Sequence, residues 1–130
     1  MLKKINALVL LSVALVSTAI SLAHHSPVVF DRTKEVKLSG VVKEFRWSNP
    51  HCFIELDVKS EKGEVEGWAV EMNPPTYLVK AGWTSKTVKP GDTVTVMVNP
   101  LRTNEKAGKF VSITLASGQV LTENDPIPAK

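Results

Sequence analysis

A chain of 130 residues has room for one domain. Its formal net charge of +3 comes from 16 basic and 13 acidic residues, and two of the lysines, Lys3 and Lys4, precede an apolar run at the N-terminus. Without residues 1–23 the chain keeps 14 basic and 13 acidic residues, a charge of +1. So weak a charge argues against a nucleic-acid partner, whose binding surface is strongly basic. A single cysteine, Cys52, excludes an internal disulfide.

The N-terminus has the pattern of a cleavable signal peptide over residues 1–23. Two lysines precede an apolar stretch from about Ala7 to Ala19, which is too short to span a membrane. Small residues at Ser21 and Ala23 match the site that signal peptidase cuts. We therefore predict export to the periplasm or beyond it, with no membrane span after cleavage.

A polar N-terminal arm, residues 24–35, comes next and carries one apolar patch. Alternating apolar residues then predict a first strand over residues 36–47. The alternation changes phase near Gly40, which predicts a bulge or a sharp bend there. Two further strands follow at residues 51–59 and 65–72, where a turn containing glycine predicts a hairpin.

The period changes in the segment that follows these three strands. Asn73 and the two prolines after it predict a helix start, with Asn73 as the N-cap. The helix is expected over Pro75–Ala81, and Gly82 is suited to the left-handed conformation that ends a helix.

Two more strands are predicted at residues 93–100 and 110–116, joined by a polar loop. Residues 122–130 are rich in polar residues and proline, and they predict a disordered tail. The order of three strands, a short helix and two strands matches a five-stranded OB-fold-like Greek-key barrel, which we expect over residues 36–121. An open meander sheet is the alternative. The residues expected to face inward on the last two strands are Val94, Val96, Val98, Val111, Ile113 and Leu115.

Four short segments of the chain resemble a family of small exported bacterial proteins. They are "AHHS" at residues 23–26, "FD" at 30–31, "WSNPH" at 47–51 and "PGD" at 90–92. That family is known as a domain of unknown function with an N-P-H motif, and the resemblance covers nearly the whole mature chain. It implies no particular activity, so the function has to be argued from the residues.

The histidines suggest a copper site made of His24, His25 and His51. Cleavage after Ala23 leaves His24 as the first residue, where its amine and imidazole chelate a metal together. Cleavage one residue earlier gives an Ala-His-His terminus, which binds Cu(II) through backbone nitrogens as well. Nitrogen ligands of this kind favour Cu(II) strongly. The alternative is that the terminal histidines contact only water.

His51 has an alternative role of its own, next to the cysteine. It begins the second strand on the face opposite the core, where it can bind a metal or hydrogen-bond a backbone carbonyl and stiffen the preceding turn. Cys52 points the other way, so we expect its thiol to be packed in the core as a small apolar group.

No catalytic motif is visible, because the chain has neither a nucleophile signature nor a suitably spaced pair of carboxylates. The second functional hypothesis is a non-metal interaction module that binds a saccharide, a peptide or an envelope protein. Its expected surface is an aromatic barrel face. We expect a monomer. The residues assigned to that face are Trp47, Phe53, Trp83 and Arg102.

Overall fold

The computed structural model of the chain describes residues 29–124. A helix, α1, spans Pro75–Leu78 and continues as a short 3-10 helix over Val79–Ala81. Within the described part, no helix has the length and apolarity needed to cross a bilayer. The strands are β1 (Val36–Arg46), β2 (Phe53–Lys59), β3 (Val65–Glu71), β4 (Thr93–Pro100), β5 (Ala107–Leu115) and β6 (Val120–Leu121).

The strands close into a barrel around one core. The long strand β1 pairs antiparallel with both β2 and β4, while β2 also pairs with β3 and β4 with β5. A parallel pairing of Ala69–Glu71 with Ala107–Lys109 joins β3 to β5 and closes the sheet. The predicted OB-fold-like, five-stranded barrel is therefore confirmed, and the open meander is excluded. Strand β6 adds to β5 outside this closure.

Strand β1 bends later than the sequence predicts. Leu38 and Val42 are both buried, so the alternation continues unchanged through Gly40. The register against β2 shifts between Val42 and Glu44, which puts the bulge there instead. Gly40 has a different role: a Cβ at this position would clash with the carbonyl oxygen of Asp57. Two strands thus approach each other too closely for any side chain.

The core is built from the inward residues of every strand, with one departure from prediction. On β5 the register shifts opposite Met97 and Val98, so that Val111 is an extra residue in the ladder. Phe110 is buried in its place, and the strand begins at Ala107 rather than at residue 110. On β2 and β4, and at Cys52 directly before β2, the buried residues are the predicted ones. They are Cys52, Ile54, Leu56, Val58, Val94, Val96 and Val98.

The helix lies where it was predicted, but its start is built differently. Pro74 is the N-cap residue and no side chain caps the helix, so the prediction for Asn73 is wrong. The Asn73 side chain instead accepts a hydrogen bond from Lys109 Nζ, 3.2 Å away. Gly82 ends the 3-10 helix with a φ of 86°, as expected of a left-handed position. The helix contributes Leu78 to the core.

The described part of the arm docks on the barrel. Phe30 forms a β-bridge with Leu101, and the Asp31 N–H donates to the Pro100 carbonyl at 2.8 Å. The Asp31 carboxylate accepts hydrogen bonds from the N–H and the hydroxyl of Thr33, which lower its pKa. The arm therefore extends the line of β1 along the end of β4. The predicted signal peptide lies outside the described residues.

The predicted disordered tail begins too early, because its first residues pack against the barrel. Trp83 Nε1 donates a hydrogen bond to the Thr122 carbonyl at 2.8 Å. The Glu123 side chain is only 8% exposed. These contacts make Thr122 and Glu123 part of the folded domain, while residues 125–130 lie outside the described residues.

Candidate functional site

His51, the last residue of the "WSNPH" segment, lies where the chain enters β2. The pairing of β2 with β3 continues beyond the start of β2 and the end of β3. There the Met72 N–H donates to the Cys52 carbonyl, and the Cys52 N–H donates to the Asn73 carbonyl. This continuation places the imidazole beside the end of β3, with Nδ1 3.0 Å from the Met72 carbonyl oxygen. The alternative role predicted for His51, a hydrogen bond to a backbone carbonyl, is thus present. The carbonyl belongs to Met72, the residue directly after β3.

The Met72 contact determines which imidazole nitrogen of His51 is available. Only a protonated nitrogen can donate to a carbonyl, so Nδ1 carries the proton and Nε2 keeps its lone pair in the neutral ring. Glu71 Oε1 lies 3.7 Å from Nε2, too far for a hydrogen bond. One ion can bridge such a pair, because ligand bonds of about 2 Å allow two ligands to lie up to about 4 Å apart. Both side chains are partly exposed, at 38% and 24%.

A more buried polar cluster lies next to Glu71, and the sequence pattern did not predict it. Lys109 on β5 points its ammonium group at Asn73 Oδ1, and it lies 3.9 Å from Glu123 Oε2. The Asn73 N–H donates to the other carboxylate oxygen of Glu123. The side chains of Lys109 and Glu123 are 19% and 8% exposed. An ion pair is therefore held close to His51 and largely out of water.

Burial governs the electrostatics of this ion pair. It raises the pKa of Glu123, against the opposing effects of the Asn73 N–H, Lys109 and His51. Burial also lowers the pKa of Lys109, against the opposing charges of Glu123 and Glu71, and Arg32 of the arm lowers it further. Both shifts favour the neutral form of each group, as expected for charges removed from water.

The sequence held a partial signal for Lys109 and none for Glu123. Lys109 lies between the buried Gly108 and Phe110, so alternation places it on the outer face of β5. The predicted strand began at residue 110 and therefore did not include Lys109. Glu123 lies in a polar segment without periodicity. Its position depends on how the chain folds back over the barrel, which no local pattern records.

Cys52 is packed as predicted. Its side chain is fully buried, and burial raises the pKa of its thiol. A buried thiol with a raised pKa is a poor nucleophile and a poor metal ligand. The thiol points into the core while the His51 ring lies beside β3, so the two do not form a common site.

The two tryptophans predicted for the interaction surface do not lie on an open face. Trp83 is 1% exposed, with its ring edge-on to those of Phe45 and Phe110, so its prediction as a surface residue is wrong. The reason is the turn at Gly82, which directs the next residue into the barrel. Trp47 is partly buried against the core, 5.8 Å from Phe45.

Phe53 and Arg102, the other two residues of that predicted surface, lie in separate places. Phe53 is on the outer face of β2, and the Arg46 guanidinium is 4.8 Å from its ring centroid. Arg102 follows β4 and lies 3.8 Å from the Asp31 carboxylate of the arm. The structure therefore does not bring the four residues together.

His24 and His25 lie outside the described residues. Among residues 29–124, no group of three or more histidine, cysteine, aspartate or glutamate side chains is arranged to hold a metal ion. His51 and Glu71 alone make an incomplete ligand set. A complete metal site at His51 needs ligands in addition to this pair.

The fold and this site define a small OB-fold barrel that carries a histidine–carboxylate pair at the end of its third strand. The chain belongs to the Family of unknown function (DUF6152), whose model matches residues 10–110. No curated protein matches the chain. Among solved structures, the mitochondrial single-stranded DNA binding protein Rim1 from S. cerevisiae is similar, with a TM-score of 0.48 and 13% sequence identity. That match covers 64% of this chain and 93% of Rim1.

Proposed function

We propose that this chain is an exported, periplasmic binding module that holds copper through His51 and the histidines of the mature N-terminus, His24 and His25. The observation that carries the proposal is the hydrogen bond between His51 Nδ1 and the Met72 carbonyl. Metal-binding histidines commonly donate a hydrogen bond from their second ring N–H to such an acceptor. This bond orients the ring and makes the ligating nitrogen more basic. Glu71, 3.7 Å from Nε2, offers an adjacent oxygen ligand.

Backbone contacts support the idea that the arm reaches this end of the barrel, because the Asp31 N–H donates to the Pro100 carbonyl and Pro100 pairs with Gly108, next to Lys109. Arg32 of the arm acts on the pKa of Lys109, and His51 acts on the pKa of Glu123. Because Lys109 and Glu123 lie within 3.9 Å of each other, the arm and His51 border the same cluster. Residues 25–29 can extend over about 14 Å, so His25 has the reach to approach a neighbouring element.

Copper titration of the secreted, processed protein tests the proposal. The wild type is expected to bind about one Cu(II) per chain, measured by calorimetry and by the nitrogen couplings in its electron paramagnetic resonance spectrum. His51→Ala and His24→Ala are each expected to weaken binding by at least about tenfold, and Glu71→Gln by less. Glu61→Gln, an exposed carboxylate of the β2–β3 turn, is the matched control and should bind like the wild type.

The intact mass of the secreted protein, recorded before and after copper is added, gives the cleavage site and the stoichiometry together. A mature chain beginning at His24 or at Ala23 agrees with the proposal. A mature chain that lacks both leading histidines contradicts it. So does a His24→Ala/His51→Ala double variant that binds copper as well as the wild type does.

A further inference from the structure

The outer edge of β3 is only half paired. β2 covers the strand over its whole length, whereas β5 meets it only at Ala69–Glu71. The Ala69 N–H donates to the Lys106 carbonyl, on the β5 side of the strand. Backbone groups two and four residues earlier, at Gly67 and Val65, point to the same side because a strand repeats every two residues. β5 begins at Ala107, so no strand of residues 29–124 faces these groups.

Nothing in the described part of the chain covers this free edge. Val65 is 64% exposed. A Cβ added to Gly67 would have no atom within 4 Å. An unpaired row of backbone donors and acceptors is a template for another strand. Edges of this kind are usually blocked, whereas within residues 29–124 this one has only a side-chain contact next to it.

That contact lies over a groove at the mouth of the barrel. Glu66 and Trp68 alternate with the edge residues and turn their side chains to the inner side, above Leu38 and Val58. Charged and polar residues of the β2–β3 turn and Lys106 form the rim of the groove, so only its floor and the Trp68 ring are apolar. The groove has a volume of about 440 Å³. It is thus large enough for one apolar side chain and the backbone that carries it.

Lys106 lies at the rim of this groove, across the Trp68 ring. Its ammonium group lies 3.3 Å from Glu66 Oε2 and 5.6 Å from the centroid of the Trp68 ring. The two charged side chains are 51% and 32% exposed, and exposed ion pairs add little stability. A ligand can therefore displace Lys106 at small cost and expose the indole.

We infer that the β3 edge and this groove bind an extended peptide segment of a partner protein. The segment adds as a short strand beside Val65–Gly67, and one of its apolar side chains enters the groove between Trp68 and Leu38. Backbone hydrogen bonds then provide affinity and the groove provides sequence preference, as in other cases of strand addition. The free backbone groups indicate a peptide, because a saccharide has no regular backbone to pair with them. The inference is independent of the copper site.

Seven-residue peptides selected from a random library against the full chain, and then synthesised, are the probe. Titration followed by two-dimensional NMR is expected to shift the amides of Val65 and Gly67 and to protect them from exchange. Gly67→Pro removes one free N–H without removing a hydrogen bond of the barrel, and should weaken binding by at least about tenfold. Gly67→Ala keeps that N–H in open space and is the matched control, with nearly unchanged affinity.

N-methylated peptides keep the test decisive should Gly67→Pro impair folding. Methylating the peptide amide that faces β3 should abolish binding, whereas methylating the next amide should not. The inference is overturned if no peptide is selected, if Gly67→Pro binds as well as Gly67→Ala, or if the amide shifts centre elsewhere, for example on Phe53. Sedimentation that shows a dimer broken by Gly67→Pro would assign the edge to a second copy of the chain and overturn it as well.

Discussion

At the scale of single residues, Gly40 shows how one missing side chain lets β1 and β2 approach each other closely. The carbonyl of Asp57 occupies the space that a Cβ would need. Gly40→Ala must therefore push β1 away from β2, and we expect it to lower the free energy of unfolding by about 1–3 kcal/mol, the usual cost of overpacking. Urea unfolding measures the change.

The control for this change is again Gly67→Ala, where a Cβ meets nothing. It should change the free energy of unfolding by less than about 0.5 kcal/mol, as surface substitutions usually do. Equal effects of the two substitutions would show that the close approach of β1 and β2 is not what makes Gly40 necessary.

His51 illustrates what a single residue reveals through its neighbours in sequence. Its place at the start of β2, opposite the core face, follows from alternation with Cys52 and Ile54. Its acceptor, the Met72 carbonyl, does not, because that contact depends on the register of β2 against β3. The same holds for Glu71, which is recognisable as an outward residue but not as the neighbour of His51.

At the scale of elements, the end of the chain differs most from its prediction. A variant ending at Leu121 loses the Thr122 carbonyl that accepts from Trp83 Nε1 and the Glu123 carboxylate that pairs with Lys109. A buried donor without an acceptor costs about 1–3 kcal/mol, so this variant is expected to unfold at a clearly lower urea concentration.

Truncation after Asn124 is the matched control, because it keeps both contacts. It should unfold together with the full chain, followed by circular dichroism in urea. Were the variant ending at Leu121 as stable as the one ending at Asn124, residues 122–124 would add nothing to the stability of the fold.

Strand β5 also differs from its prediction, because its bulge at Val111 changes which residue faces inward. A strict period of two in the sequence cannot reveal such a bulge.

At the scale of the whole molecule, the Lys109–Glu123 pair makes stability depend on pH. The folded state raises the pKa of Glu123 above the ordinary value of 4.5, so the folded state binds this proton more tightly than the unfolded state does. By linkage, the contribution of Glu123 to stability falls as pH rises from about 4.5 through the raised pKa. Glu123→Gln removes this contribution.

The wild type should therefore lose stability relative to Glu123→Gln as pH rises through that window. Urea unfolding at several pH values measures the difference, and Glu61→Gln, at an exposed carboxylate of the β2–β3 turn, is the control. If the wild type instead became more stable relative to Glu123→Gln as pH rises, Lys109 and Asn73 would lower the pKa of Glu123 more than burial raises it.

The alternating apolar residues of β2 and β4, the turn glycines and the helix between two runs of strands are enough to predict the barrel. They suffice because each is a local consequence of a chain with one buried face. The exported state and the copper ligands His24, His25 and His51 stay predictions. Strand register and barrel closure decide the other features. They bring the outward residues His51, Glu71 and Lys109 together, bury Trp83 and Glu123, and leave half of the β3 edge unpaired. These features depend on contacts between residues far apart in the sequence, and a local pattern of apolar residues carries no information about such contacts.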